Sequence, residues 1–243
     1  MPRFFLPGEP FTGAFVELTG EQLAHARVLR LHEGDAVTLC DGNGTDCRCT
    51  VSEVGSSSML LRIDECRPSE SEPAVFCTVY MAFPKADKLE HVIQKATELG
   101  ASEIVVFPSA RCVSRPDDKS VLKKLERWNK IAASAAEQSG RGRIPVVRAV
   151  GSYEKALSEA AKADLPILFY ENEENFVLHD ALMRGTFRTA ALMTGPEGGF
   201  EESEIRQAKD AGLLICSLGK RILRCETAPL CALSALMYAS GEF

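Results

Sequence analysis

No Cys-x-x-Cys pair occurs in this sequence, although it carries nine cysteines. A metal site needs several ligands at set spacings, so reduced structural thiols are expected and no metal. Cys47 and Cys49 flank Arg48 on a strand-like run and share one face. No apolar run approaches the roughly 18 residues that a membrane span needs. The N-terminus lacks the charged-then-apolar pattern of a secretory signal, and a cytoplasmic protein is expected. Nor does a G-x-G-x-x-G follow the first strand of the alternating region described below. MAFPKAD (Met81–Asp87) stands there instead, which excludes a nicotinamide oxidoreductase.

Positive charge is also in short supply, since the formal net charge is −6. It is unevenly spread. Residues 108–148 hold ten Lys and Arg against four Asp and Glu, whereas residues 152–212 hold six against twelve. A basic segment on an acidic body is compatible with a polyanion on one face. The 243 residues, 45% of them apolar, suffice for a full core in one or two domains.

Short β runs fill residues 1–67: Arg3–Pro7, Phe15–Leu18, Ala36–Asp41, Cys47–Val54 and Met59–Cys66, with a helical turn or two at Thr19–Arg27. Asp41-Gly42-Asn43-Gly44 predicts a hairpin, Gly55–Ser58 a second turn, and the whole a small barrel. Residues 68–73, PSESEP, read as a linker. From 74 to 243 strands alternate with amphipathic helices, the pattern of a parallel α/β sheet. In the long helix predicted over Ser120–Ser139, Leu122, Leu125, Trp128, Ile131, Ala132 and Ala135 are placed inward. Ser152 is a plausible N-cap for the helix beginning at Tyr153.

Two glycine-bearing loops follow apolar strands near the end of the chain. Thr194–Phe200 (TGPEGGF) follows Ala190–Thr194, and Leu218–Ala228 (LGKRILRCETA) follows Leu213–Ser217. Each precedes a helix. In open α/β sheets ligands sit outside the carboxyl ends of strands, and glycines leave backbone groups bare for contact. GPEGGF followed by LGKRILRCETA resembles the cofactor-binding signature of the small-subunit ribosomal RNA methyltransferase E family, a branch of the SPOUT methyltransferases. QKATELG (Gln94–Gly100), FPSARCVSR (Phe107–Arg115), ERW (Glu126–Trp128), AAEQSGR (Ala135–Arg141) and HARVLRLHEGD (His25–Asp35) extend the similarity over essentially the whole chain. Two positions depart from it. Cys225 stands where a small apolar residue is usual, and Glu201 where Ser or Thr is.

The resemblance implies a trefoil-knotted SPOUT methyltransferase domain (74–243) behind a PUA-like β-barrel RNA-binding domain (1–67). Alternation by itself would give an unknotted doubly wound sheet. It also implies S-adenosylmethionine as cofactor, 16S ribosomal RNA on the small subunit as substrate, and a homodimer. The expected cofactor contacts are Leu168, Tyr170, Thr194, Gly195, Pro196, Glu197, Gly198, Gly199, Leu218, Gly219, Ile222, Leu223, Arg224, Glu226, Thr227 and Ala228. Expected RNA contacts are Arg3, Arg27, Arg30, Arg111, Arg115, Gln138, Arg141 and Arg143. The last helix, with Leu230, Leu233, Leu236 and Met237, is either core or interface.

Members of the family methylate ring nitrogen 3 of a uridine. That nitrogen is a weak acid whose anion attacks the methyl group, so the site needs a proton acceptor or a cation that stabilises the anion. Arg224 is the expected cation, unless it merely pairs with Glu226. Neither loop contains a histidine, and no general base stands out. The target nitrogen lies on the Watson–Crick edge and must be unpaired or flipped out. Two alternatives share parts of this reading: a ribose 2′-O methyltransferase of the same fold, and a non-enzymatic RNA-binding protein.

Overall fold

The computed structural model describes every residue except Pro7, Glu9, Pro10 and Thr12, together with the side chain of Asp118. The end of the first expected strand, at Pro7, falls outside the described residues. The chain forms two compact units, Met1–Glu72 with Ala136–Ile144, and Pro73–Ala135 with Pro145–Phe243. No described helix is long and apolar enough to cross a membrane.

In the first unit β1 (Arg3–Phe5), β2 (Phe15–Leu18), β3 (Ala36–Cys40), β4 (Thr45–Val54) and β5 (Met59–Pro68) make one sheet in the order β1-β3-β4-β5-β2. β1 lies parallel to β3 and the remaining pairs are antiparallel. Alternate residues (Val37, Leu39, Val51, Met59 and Leu61) point into a core closed by Phe4 and by Leu23 and Ala26 of α1 (Gly20–Val28). The predicted hairpin is present. The Asp41 carboxylate accepts from the amides of Asn43 at 2.8 Å and Thr45 at 2.9 Å, while Gly42 and Gly44 take φ of 75° and 103°.

Two expectations change here. The cysteines are not all reduced, because Cys47 of β4 and Cys66 of β5 form a disulfide. They are directly opposed in the β4–β5 register, which brings their sulfurs together. Residues 68–73 are not a free linker either. β5 runs to Pro68, Ser69 Oγ donates to Asp46 at 2.9 Å, and Ser71 Oγ donates to the Gly140 carbonyl at 2.8 Å. Glu72 accepts from Arg141 Nη2 at 2.7 Å and from the amides of Gly142 and Arg143 at 2.9 and 3.0 Å. Local polarity suggests a tether; the arginine that neutralises Glu72 lies 69 residues away.

The second unit is a six-stranded, wholly parallel sheet in the order β11-β9-β10-β6-β7-β8. Its strands are β6 (Phe76–Ala82), β7 (Glu103–Phe107), β8 (Val146–Ala149), β9 (Leu165–Phe169), β10 (Thr189–Thr194) and β11 (Leu214–Cys216). Between and after them come α2 (Lys88–Glu98), α3 (Asp118–Ser139), α4 (Tyr153–Ala160), α5 (Leu178–Leu182), α6 (Glu202–Asp210) and α7 (Ala228–Ala239). Both faces of the sheet are covered, so the strands read as near-continuous apolar runs such as Val79–Ala82.

Helix faces follow from spacing. Leu89, Val92, Ile93 and Ala96 of α2 are buried, and Gly100 (φ 97°) ends that helix in the left-handed region. In α3 Trp128 and Ala132 are buried, but Leu122, expected inward, is 65% exposed. At about 100° per residue it sits roughly 100° round the helix from the stripe centred on Trp128 and Ala132. Asn129 of α3 closes the outer edge of the sheet, accepting from the Val147 amide at 3.0 Å and donating to its carbonyl at 2.9 Å. Ser152 caps α4 as expected, accepting from the Lys155 amide at 3.2 Å. In α7 Leu233, Leu236 and Met237 are core, and Leu230 is partly buried against it.

Candidate active site

Because β11, β9 and β10 are adjacent and parallel, their carboxyl ends at Cys216, Phe169 and Thr194 open to one edge of the sheet. The segments that leave them surround a cavity of about 880 Å³, lined chiefly by residues 169–174, 194–200 and 217–225. The sequence suggested two loops; the structure adds a third, after β9.

The 195–200 loop is anchored from beneath. Phe200 is 1% exposed and stacks on Phe107, with ring centroids 6.5 Å apart and planes 3° apart, and on Tyr153 at 5.8 Å. Glu204, in the first turn of α6, accepts from the amides of Ala110 and Glu201, both at 2.8 Å. With Glu204 performing that role, the helix starts without Ser or Thr at position 201. Gly199 takes φ +66°, and a Cβ there would lie 2.2 Å from Glu171 Oε1. The backbone conformation is what calls for glycine, since the exposed Glu171 carboxylate is the movable end of a flexible side chain.

The 217–225 loop is held more loosely. Lys220, Arg221, Ile222 and Arg224 are exposed, Ile222 to 84%. Order returns where the Arg224 carbonyl accepts from the amides of Thr227 and Ala228, each at 2.9 Å, and Pro229 enters the first turn of α7.

Of the expected cofactor residues, Tyr170, Thr194, Gly195, Pro196, Glu197, Gly199, Leu218, Gly219, Ile222, Leu223, Arg224 and Ala228 line the cavity. Leu168, Gly198, Glu226 and Thr227 do not. Leu168 is sealed in the core, and the Gly198 carbonyl instead accepts from Arg111 Nη1 at 3.1 Å. Sequence reasoning missed the wall made by Glu171, Glu173 and Glu174, and the contribution of Lys220, Arg221 and Cys225. The alternative, in which Arg224 merely pairs with Glu226, is not what the structure has. Glu226 is bound elsewhere, and among the described residues the Arg224 guanidinium has no side-chain partner.

Glu226 is held by Lys88, a residue absent from the sequence reading. Its Nζ lies 3.0 Å from Glu197 Oε1, 3.2 Å from Glu226 Oε2 and 3.7 Å from Cys225 Sγ. Lys88 is the first residue of α2, where the helix dipole disfavours a cation, and that misplacement is the signal that could have found it. The hydrogen bonds it donates to both carboxylates raise its pKa above the ordinary lysine value. Burial works against ionisation of Glu197, yet backbone amides and Lys88 hold its carboxyl below the usual range. Glu226 is lowered chiefly by a backbone hydrogen bond, against partial burial and with help from Cys225 and Lys88. Burial, together with the hydrogen bond to Glu226, pushes the Cys225 thiol up to about 12, so it stays protonated.

The expected RNA contacts divide. Arg141 has a side chain only 3% exposed and is paired with Glu72, a structural contact that turns it away from solvent. Arg3 is spent likewise on Asp46, at 2.7 Å, and on the Arg141 carbonyl. Arg143 is half-buried against the Asn43 carbonyl at 3.4 Å. Arg27 reaches the Gly55 and Ser56 carbonyls while remaining exposed. Arg30 and Gln138 are exposed, Arg30 with φ +55°. In the second unit Arg115 folds back on the carbonyls of Ser109 and Ala110, and Arg111 is exposed beside Gly198.

Comparison with known proteins fits this geometry. Residues 71–237 match the family model described as RNA methyltransferase domain, and residues 18–64 match RNA methyltransferase PUA domain. The chain is 37% identical to ribosomal RNA small subunit methyltransferase E of Bacillus subtilis (strain 168) over 229 residues, 91% of this chain and 89% of that one. It is 35% identical to the protein of the same name from Mycobacterium tuberculosis over 239 residues, 96% and 90% of the two chains. A crystal structure of ribosomal RNA small subunit methyltransferase E from Neisseria gonorrhoeae bound to S-adenosyl methionine superposes with a TM-score of 0.83 at 33% identity. That match covers 98% of this chain and 97% of the other.

Proposed function

The chain belongs to the ribosomal RNA small subunit methyltransferase E family, and from that premise we propose that it methylates ring nitrogen 3 of one uridine in 16S ribosomal RNA, with S-adenosylmethionine as methyl donor. The observation that carries the reading is the cavity where three strand ends meet. Its volume of about 880 Å³ lies within the ~300–1,000 Å³ of small-molecule sites. Gly199 keeps a Cβ out of it, and backbone groups of the 195–200 loop are bare for contact with an adenine edge.

Bound there, S-adenosylmethionine supplies an electrophilic methyl group. Gly195, Pro196, Gly199, Leu218 and Leu223 form the cradle, and Glu171 offers acceptor oxygens for hydroxyl or ammonium groups. Arg224 is exposed and has no side-chain partner among the described residues, and it stabilises the charge that spreads onto the uridine carbonyl oxygens as the N3 proton passes to solvent water. The thiol of Cys225 stays protonated and takes no part as a nucleophile. Arg27, Arg30 and Gln138 hold the surrounding RNA by its backbone. Two copies pair through the end of α7, where Tyr238 and Phe243 stand 74% and 69% exposed.

The test is transfer of labelled methyl from S-adenosylmethionine to small ribosomal subunits that lack the modification, followed by digestion to nucleosides and mass spectrometry. Label in 3-methyluridine is expected. Label in 2′-O-methylribose would move the protein to the ribose-modifying reading.

A further inference from the structure

Arg224 and Glu226 are two residues apart on the turn that opens α7, yet they face different partners. The Glu226 carboxylate is turned to Lys88, which also holds Glu197 of the neighbouring loop, and Arg224 lines the cavity with no side-chain partner among the described residues. Lys88 comes from neither loop and stands at a helix start, where its charge is favourable only because two carboxylates surround it. We propose that Lys88 is a positioning residue which, by holding Glu197 and Glu226 together, ties the two loops to α2 and keeps Glu226 from capturing Arg224. The inference rests on the methyl-transfer reading for its catalytic consequence, though not for its geometry.

The geometry makes a specific demand on variants. Lys88→Met leaves two carboxylates without their lysine, and Arg224 is a guanidinium on the same cavity, two residues from Glu226, that the freed carboxylate can draw to itself. Removing the charge of Glu226 in the same chain removes the trap. A residue that merely supports the fold would show no such rescue. Lys88→Arg, which keeps a cation able to bridge both carboxylates, should behave close to the native protein.

The experiment measures Lys88→Met, Lys88→Arg and Lys88→Met/Glu226→Gln in the full chain by two readouts. The first is the Arg224 side-chain Nε–H resonance, assigned by its loss in Arg224→Lys. It is expected to shift in Lys88→Met and to return in the double variant. The second is kcat for methyl transfer to small subunits, expected to fall at least tenfold in Lys88→Met and to recover at least threefold when Glu226→Gln is added. An Arg224 resonance unchanged in a folded Lys88→Met overturns the proposal, as does a double variant no more active than the single one. If Lys88→Met fails to fold, native-like kcat and resonance in Lys88→Arg support the cation's role, and loss of either overturns it. Should native protein bind S-adenosylhomocysteine yet methylate no subunit, the substrate reading fails, and the resonance still decides the role of Lys88.

Discussion

The two glycine-bearing loops emerge from neighbouring strands and border one cavity, but they are built differently. The 195–200 loop ends on a buried, stacked phenylalanine and is tied by side chains from outside it: Arg111, Lys85 through its amide, and Lys88. The 217–225 loop presents Lys220, Arg221, Ile222 and Arg224 to solvent and is ordered mainly at its junction with α7. One is a preformed floor and the other a lightly held rim. A floor fixes where a cofactor sits, and a rim with charged side chains is free to meet a large, variable partner. Lys88 touches carboxylates from both.

Breaking the contrast from the rim should give the largest effect on chemistry. Arg224→Ala is expected to lower kcat by about 10²–10³-fold, the usual loss for a group that stabilises developing charge, while calorimetric affinity for S-adenosylhomocysteine changes little. Equal losses in both would make Arg224 part of the floor. Breaking it from the floor should cost stability first. Phe200→Ala is expected to lose about 3–5 kcal/mol in denaturant unfolding, as for other buried aromatics. Gly199→Val should weaken cofactor binding at least tenfold, because the left-handed conformation at φ +66° opposes a β-branched side chain beside the cavity. Gly198→Val meets Arg111, its Cβ at 3.1 Å and its carbonyl oxygen at 3.5 Å, off the cavity lining, and should weaken binding less. Ile222→Ala on the rim should leave unfolding free energy within about 0.5 kcal/mol of native.

The smallest effect concerns pH. The folded-state pKa values of Glu197 and Glu226 are lowered, so the stability they add is present above the ordinary carboxylate value of about 4.3 and fades as pH falls through their folded values. That of Lys88 is raised, so its share is fully present below about 10.4 and fades only as pH climbs through the folded value. Between pH 6 and 8 Lys88, Glu197 and Glu226 should contribute no slope to the melting temperature. Glu197→Gln should flatten the acid limb measured by thermal unfolding.

Much of the architecture was legible because it depends on neighbours in sequence. Apolar runs such as Ile104–Phe107, the α2 stripe and the Ser152 cap are local signals, and each appears where spacing places it. Strand order is a different matter. Nothing in periodicity says that β9 lies between β10 and β11. The same limit explains the arginines. Arg141 follows a helix end in a basic stretch, and only the approach of Glu72 turns it inward. For the cavity, glycines and prolines marked two loops, but the carboxylates after β9 resembled any polar turn until the sheet set them opposite Gly199. The Cys47–Cys66 pair depended in turn on the register of β4 with β5.

The clasp of Glu72 on residues 141–143 also bears on the order in which the protein is made. The first unit needs a segment that lies beyond the first two strands of the second. When a ribosome has released residues 1–72, Glu72 is an acid whose arginine and two amide donors are still unsynthesised. Completion waits for Arg141 to emerge. Excising residues 1–72 for transplantation would therefore carry away an unfinished piece, and a graft that works must bring residues 136–144 with it.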